Sequence, residues 1–231
     1  MRDSQRYLAE VFGTFTLVFV GATTVVGFGA SAASFGFGIA LLAALYAFGE
    51  ISGGHFNPAV SLAIFLDRRL GAGDLLRYWG CQVVGAILGA LALLLMTSSK
   101  AVAQAATVPG RGDRAAFFVE LFLTAVFVLV ILQVTKSKSY GNTAYLAIAL
   151  TLLAIHFAAV PFSGSSVNPA RTIATALVGA KWTAIWIYII APPLGAVLGW
   201  AIHAVVVKGD TGLRAGPDRL SPDADGGQAS T

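Results

Sequence analysis

The sequence predicts an all-α membrane protein: six transmembrane helices plus two half-helices, arranged as an inverted tandem repeat. Three observations predict it. The chain is 57% hydrophobic and only 11% charged, where soluble domains average roughly a quarter charged residues. Landmarks in its first half return in its second half at nearly one spacing. Two Asn-Pro-Ala turns lie between long apolar runs, where neither a buried helix nor a surface loop accounts for them.

Six segments have the roughly 20 apolar residues that a hydrocarbon core of about 30 Å demands. In order they are Tyr7–Gly27, Phe35–Gly49, Tyr78–Thr97, Ala115–Thr135, Thr143–Pro161 and Trp182–Val207. The first contains Glu10 and has no small-residue cleavage site near its end, which argues against a removable signal peptide. Residues 1–207 read as one domain, with repeat units at about 7–97 and 115–207. The Gly-, Asp-, Pro- and Ser-rich stretch 208–231 has too little apolar surface to order itself and is expected to be a disordered tail.

The net charge of +4 does not point to nucleic acid, because the basic residues follow topology. With the N-terminus inside, Arg2, Arg6, Arg68, Arg69, Arg77, Lys136, Lys138, Lys208, Arg214 and Arg219 face the cytoplasm. Lys100, Arg111, Arg114, Arg171 and Lys181 face the other side. Ten against five is the positive-inside bias, and it places both termini in the cytoplasm. Cys81 is the only cysteine, so no intrachain disulfide can form, and it reads as a packing residue of the third span.

Glu10 opens "EVFGTFTLVFV" and Glu120 opens "ELFLTAVFVLV", 110 positions later. "NPA" at Asn57, Pro58 and Ala59 returns at Asn168, Pro169 and Ala170, an offset of 111. "GAILGALA" from Gly85 is matched by "GAVLGWAI" from Gly195, again 110. Each unit holds three spans, an odd number, so the second copy enters the membrane from the opposite side. Inverted repeats of this kind place functional sites near the midplane, between the halves. The glycine pairs Gly85/Gly89 and Gly195/Gly199 permit close helix approach.

After each Asn-Pro-Ala comes a run too short to span, Pro58 to about Leu66 and Pro169 to about Val178. About ten helical residues rise roughly 15 Å, half the hydrocarbon thickness. Pro suits the first helical position and Asn is a strong N-cap. Each stretch therefore reads as a loop that dips to mid-membrane and starts a half-helix there. Irregular backbone at that depth is tolerated only when buried in protein or lining a water-filled cavity. The cap would pin each asparagine oxygen and leave its NH₂ facing a lumen. Both helix N-termini carry partial positive charge, about half a unit each, which favours an oxygen lone pair and repels cations.

"SGGHFNPAV" and "SSVNPAR" in a six-span duplicated chain resemble the aquaporin (major intrinsic protein) family, over about Tyr7 to Val207, and most of all its bacterial water-selective branch. The resemblance implies a homotetramer with one pore per subunit in the bacterial inner membrane, water as permeant and lipid as surroundings. It implies no cofactor, metal, catalytic residue or nucleic-acid partner. The backbone carbonyls of Gly53, Gly54, His55, Gly164, Ser165 and Ser166 are then expected to line the conduit. The family's selectivity filter maps by spacing onto Phe37, twenty residues before Asn57; His156, twelve before Asn168; Ser165, three before it; and Arg171, directly after the second motif. Pore width, lining hydrogen-bond groups and electrostatic barriers decide selectivity in such channels. The glycerol-conducting branch typically has a smaller residue in place of His156 and Asp in place of Thr172, so both positions favour water. Ser165 resembles, in a smaller form, the threonine or cysteine of water channels.

Carboxylates inside apolar spans are functional candidates. No nucleophile or metal-ligand cluster accompanies Glu10 and Glu120, so enzymatic acid–base use is disfavoured, and the resemblance implies that they brace the inserted loops. Glu50 reads as a solvated or loop-bracing group at the mouth, and His203 as packing. An aquaglyceroporin-like channel for glycerol or other small neutral solutes is the nearest alternative. A secondary transporter also uses inverted repeats, but wants ion- or proton-coupling carboxylates facing the path. A structural junction protein gains little from the short exposed loops.

Overall fold

Among the described residues, six helices are long and apolar enough to cross a membrane. The computed structural model describes residues 3–136, 140–141 and 143–208. In the first half, α1 (Asp3–Phe28), α2 (Ala33–Ser52), the half-helix α3 (Pro58–Leu66) and α4 (Ala72–Met96) follow in order. A short connector holds α5 (Ser99–Val102). In the second half come α6 (Asp113–Lys136), α7 (Thr143–Ser163), the half-helix α8 (Pro169–Val178) and α9 (Ile185–Ile202), the last continued by a π-helical segment to Lys208. The expected tail beyond Lys208 lies outside the described residues.

Both half-helices start as the capping argument requires. Asn57 and Asn168 are extended, at φ −159° and −148°, and Pro follows each at the first helical position. The oxygen of Asn57 accepts from Ala59 N–H at 2.9 Å, and that of Asn168 from Ala170 N–H at 3.1 Å and Arg171 N–H at 3.3 Å. With nine and ten residues, the half-helices rise only about 14–15 Å.

The helices extend or trim the hydropathy reading at their ends: α1 begins four residues earlier, at Asp3, and α4 and α9 show why. Helix α4 begins at Ala72 rather than Tyr78, because its first turn is polar and secured by tertiary contacts. Asp74 accepts from Tyr7 at 2.7 Å and from Arg6 and Arg77 at 3.3 Å each. A carboxylate in a first turn also suits the helix dipole. Helix α9 begins at Ile185 rather than Trp182, because Ala184 is left-handed at φ 49° and breaks the run.

The two halves pack alike. Helix α1 lies on α2 and α4, and α6 on α7 and α9. The glycine pairs allow the closest crossings. A Cβ on Gly85 would fall on the Val11 carbonyl and one on Gly89 would stand 2.9 Å from the Phe15 carbonyl. On Gly195 and Gly199 it would strike the Leu121 and Ala125 carbonyls, each 110 positions on. The half-helices then exchange partners: α3 packs on α9 and α8 on α4. Each inserted loop is thus wedged into the opposite repeat, which brings the two Asn-Pro-Ala turns face to face.

Candidate pore

The two inserted loops share one backbone conformation, residue by residue. Gly53, Gly54 and Phe56 have φ of 91°, 65° and 48°; Gly164, Ser165 and Val167 have 70°, 50° and 46°. Left-handed backbone is costly for Phe and more so for β-branched Val, so surrounding contacts must hold it. Those contacts come from the buried glutamates. Glu10 accepts Ser52 Oγ at 2.6 Å and His55 N–H at 3.0 Å on one oxygen, and Phe56 N–H and Gln82 Nε2, both at 2.7 Å, on the other. Glu120 accepts Ser163 Oγ at 2.7 Å and Ser166 N–H at 2.8 Å on one oxygen, and Val167 N–H at 2.7 Å on the other. Tyr78 and Tyr188 pin the Ser52 and Ser163 carbonyls at 2.8 and 2.7 Å.

None of the hydrogen bonds made by these loops uses the carbonyls of Gly53, Gly54, His55, Gly164, Ser165 or Ser166. The two turns are clasped to each other instead by their neighbours. Asn57 Nδ2 donates to the Val167 carbonyl at 2.7 Å and Asn168 Nδ2 to the Phe56 carbonyl at 2.9 Å. One hydrogen of each amide is therefore spent across the repeat interface, where the capping argument alone left both for a lumen. An NH₂ has two, so one per asparagine remains.

Between the asparagines and Arg171 lies a cavity of about 20 Å³, lined by Phe37, Leu41, Asn57, His156, Asn168 and Arg171 among others. That is about the space of one water molecule. Phe37 and His156 stack with centroids 4.9 Å apart, and the Arg171 guanidinium lies 5.0 Å from the Phe37 ring centre. The stack and the cation–π contact fix three side chains from three helices. His156 Nδ1 is 3.0 Å from the Leu152 carbonyl, which can only accept, so Nδ1 holds a proton and, when the ring is neutral, Nε2 is an acceptor. His156 Nε2 and Arg171 Nε and Nη1 are buried without a protein partner. An acceptor and two donors left open in one constriction match a molecule that both donates and accepts.

A family model described as Major intrinsic protein matches residues 1–203. The chain belongs to that family. It is 42% identical over 206 residues to "Glycerol uptake facilitator protein-like 6" of Lactiplantibacillus plantarum, covering 84% of this chain and 94% of the relative. To "Aquaporin Z" of Brucella melitensis it is 38% identical over 221 residues, covering 87% and 95%. Among solved structures, the aquaglyceroporin from Plasmodium falciparum superposes with a TM-score of 0.81 at 21% identity, covering 91% of this chain and 99% of that one, a likeness of fold. The protein is accordingly a multi-pass membrane protein of the major intrinsic protein channel family, with the aquaporin fold.

Within this family member the expected filter residues are not all equally placed. Phe37, His156 and Arg171 touch, whereas Ser165 is fully buried with its Oγ unpartnered and does not line the cavity beside them. Thr172 is buried and acts as a brace, its hydroxyl 2.6 Å from Ser166 Oγ and 2.9 Å from Thr107 Oγ1. Gln82 escaped the sequence reading, although it ties Glu10 to Ser61; its position 110 residues on is Pro192, so no repeat pointed to it. Tyr78 and Tyr188 were missed as well, although their 110-position spacing is a signal that could have found them.

Gly21 of α1 is the seat of the constriction. A Cβ there would overlap the Phe37 ring. Gly21→Ala is expected to push Phe37 toward His156 and Arg171 and lower water permeability at least threefold. Gly27→Ala, which meets nothing within 4 Å, serves as control in the same proteoliposome assay. Equal permeability of the Gly21 and Gly27 variants would count against this seat.

Proposed function

We propose that the chain is a passive, water-selective pore that excludes protons and ions. The observation that carries this reading is the Phe37–His156–Arg171 ring, with its open donors and acceptor, lining a cavity with about the space of one water molecule. The midplane adds a second barrier. Two half-helices meet there by their N-termini, where partial positive charge opposes a cation, and Asn57 and Asn168 each retain an N–H to orient a passing oxygen. Arg171 places a full positive charge on the same path.

The wider assignment follows from the topology and the resemblance. The pore is proposed to sit in a bacterial inner membrane with both termini cytoplasmic, as the distribution of Lys and Arg supports. It is proposed to assemble as a homotetramer with one conduit per subunit, Gly53 to His55 and Gly164 to Ser166 supplying carbonyl acceptors. Residues 1–207 form the channel domain.

A glycerol-conducting reading is favoured by one observation, the 42% identity to a protein named as a glycerol uptake facilitator. Stopped-flow light scattering on proteoliposomes separates the two. Water flux is expected to be fast, independent of any ion gradient and low in activation energy, with glycerol flux near that of empty liposomes. Water transport that needed a sodium or proton gradient would sink the pore reading, and glycerol flux well above lipid background would transfer the chain to the second reading.

A further inference from the structure

A second cavity, not lined by Arg171, shares Leu41, His55 and Phe127 with the first. A larger one beside it is lined in part by Glu50 and Lys136. Where the two meet, Gly53, Arg69, Thr135 and Tyr145 line both. A residue that lines both sides of such a junction stands at a neck.

The neck is built from three elements. Arg69 belongs to the turn after α3: Arg68 is left-handed at φ 62°, and Arg69 N–H returns to the Ile64 carbonyl at 3.0 Å. Its Nη2 crosses to the other repeat and donates to Thr135 Oγ1 of α6 at 2.9 Å. Thr135 spends its own hydroxyl hydrogen on the Ile131 carbonyl at 2.6 Å, so its oxygen is held as an acceptor for the guanidinium. Asp67, 3.8 Å from Arg69 Nη1, anchors the near side. Tyr145 of α7 is held by an edge-on contact to Tyr46 at 5.4 Å and by Gly49, where a Cβ would stand 2.7 Å from its hydroxyl.

We propose that Arg69, Thr135 and Tyr145 form a second constriction, which limits solute width at the end of the conduit opposite Arg171. The inference rests on the pore reading. A guanidinium strapped across the path by one hydrogen bond narrows it without an apolar plug, and leaves donors for a passing water.

The test places a thiol in the neck. In a Cys81→Ser background, Thr135→Cys is modified with a small methanethiosulfonate reagent, labelling is verified by mass, and water permeability is compared before and after on the same preparation. Modification is expected to lower flux at least fivefold, whereas the same label on Lys136→Cys in the wider vestibule changes it less than twofold. Adding Arg69→Ala to Thr135→Cys is expected to restore at least half of the blocked flux. Fully labelled Thr135→Cys that keeps its flux would overturn the neck, and an undiminished block in the Arg69→Ala variant would remove Arg69 from it. Tyr145→Cys gives the same readout should Thr135→Cys not fold. Unlabelled protein that conducts no more than bare liposomes would instead be a failure of the pore reading.

Discussion

Glu10→Gln is expected to destabilise the fold more than Glu120→Gln, and both more than they alter selectivity. All the partners of these carboxylates are donors. Gln keeps one acceptor oxygen and turns the other into an NH₂, itself a donor. At Glu10 each oxygen accepts two bonds, so either orientation of the amide loses two and sets donor against donor. At about 1–3 kcal/mol for each buried group left unpaired, the cost is about 2–6 kcal/mol. At Glu120 the amide nitrogen can take the side that accepts only Val167 N–H, losing one bond and about 1–3 kcal/mol. Phe56 and Val167, whose left-handed backbones depend on those bonds, are the residues expected to relax first. Thermal unfolding in detergent, with flux measured per folded protein, checks the order. Both variants as stable as the parent, yet with conduction lost, would turn these glutamates from braces into groups acting directly on the permeant.

His156→Gly is expected to admit glycerol. The imidazole is the stacking partner of Phe37 and supplies the ring's open acceptor. Its removal widens the constriction on one side while Phe37, still seated on Gly21 and under Arg171, offers an aromatic wall to a hydrocarbon edge. A larger ring at position 37 would add nothing, since Gly21 leaves no room behind it. Glycerol permeability at least tenfold above the parent is expected, with water flux kept within about twofold; a factor of ten corresponds to about 1.4 kcal/mol of barrier, well within what one unpaired polar group in a narrow passage can cost. Glycerol flux no higher than that of the parent at matched protein density would show that the width of the pore is set elsewhere.

What the sequence determined by itself is what one-dimensional periodicity encodes. Six apolar runs name the spans because hydrocarbon thickness sets their length. Three motifs repeated at 110–111 positions, in units of three spans, dictate inversion, since an odd number of crossings leaves no other choice. Asn and Pro are the residues preferred at the cap and first position of a helix, and the half-helix bounds Pro58–Leu66 and Pro169–Val178 are those of the structure. The tertiary structure alone decided the contacts between elements far apart in the chain. The exchange of half-helices between repeats, the clasp of each asparagine on the other loop, the fourth bond to Glu10 from Gln82, and the reach of Arg69 to Thr135 have no local pattern. Each joins residues 66 to 112 positions apart, and Gln82 and Arg69 lie where the repeat is broken or the side chain could as well face solvent. Which partner a buried donor finds is decided by how the helices pack, and that information exists only once the two halves have closed on each other.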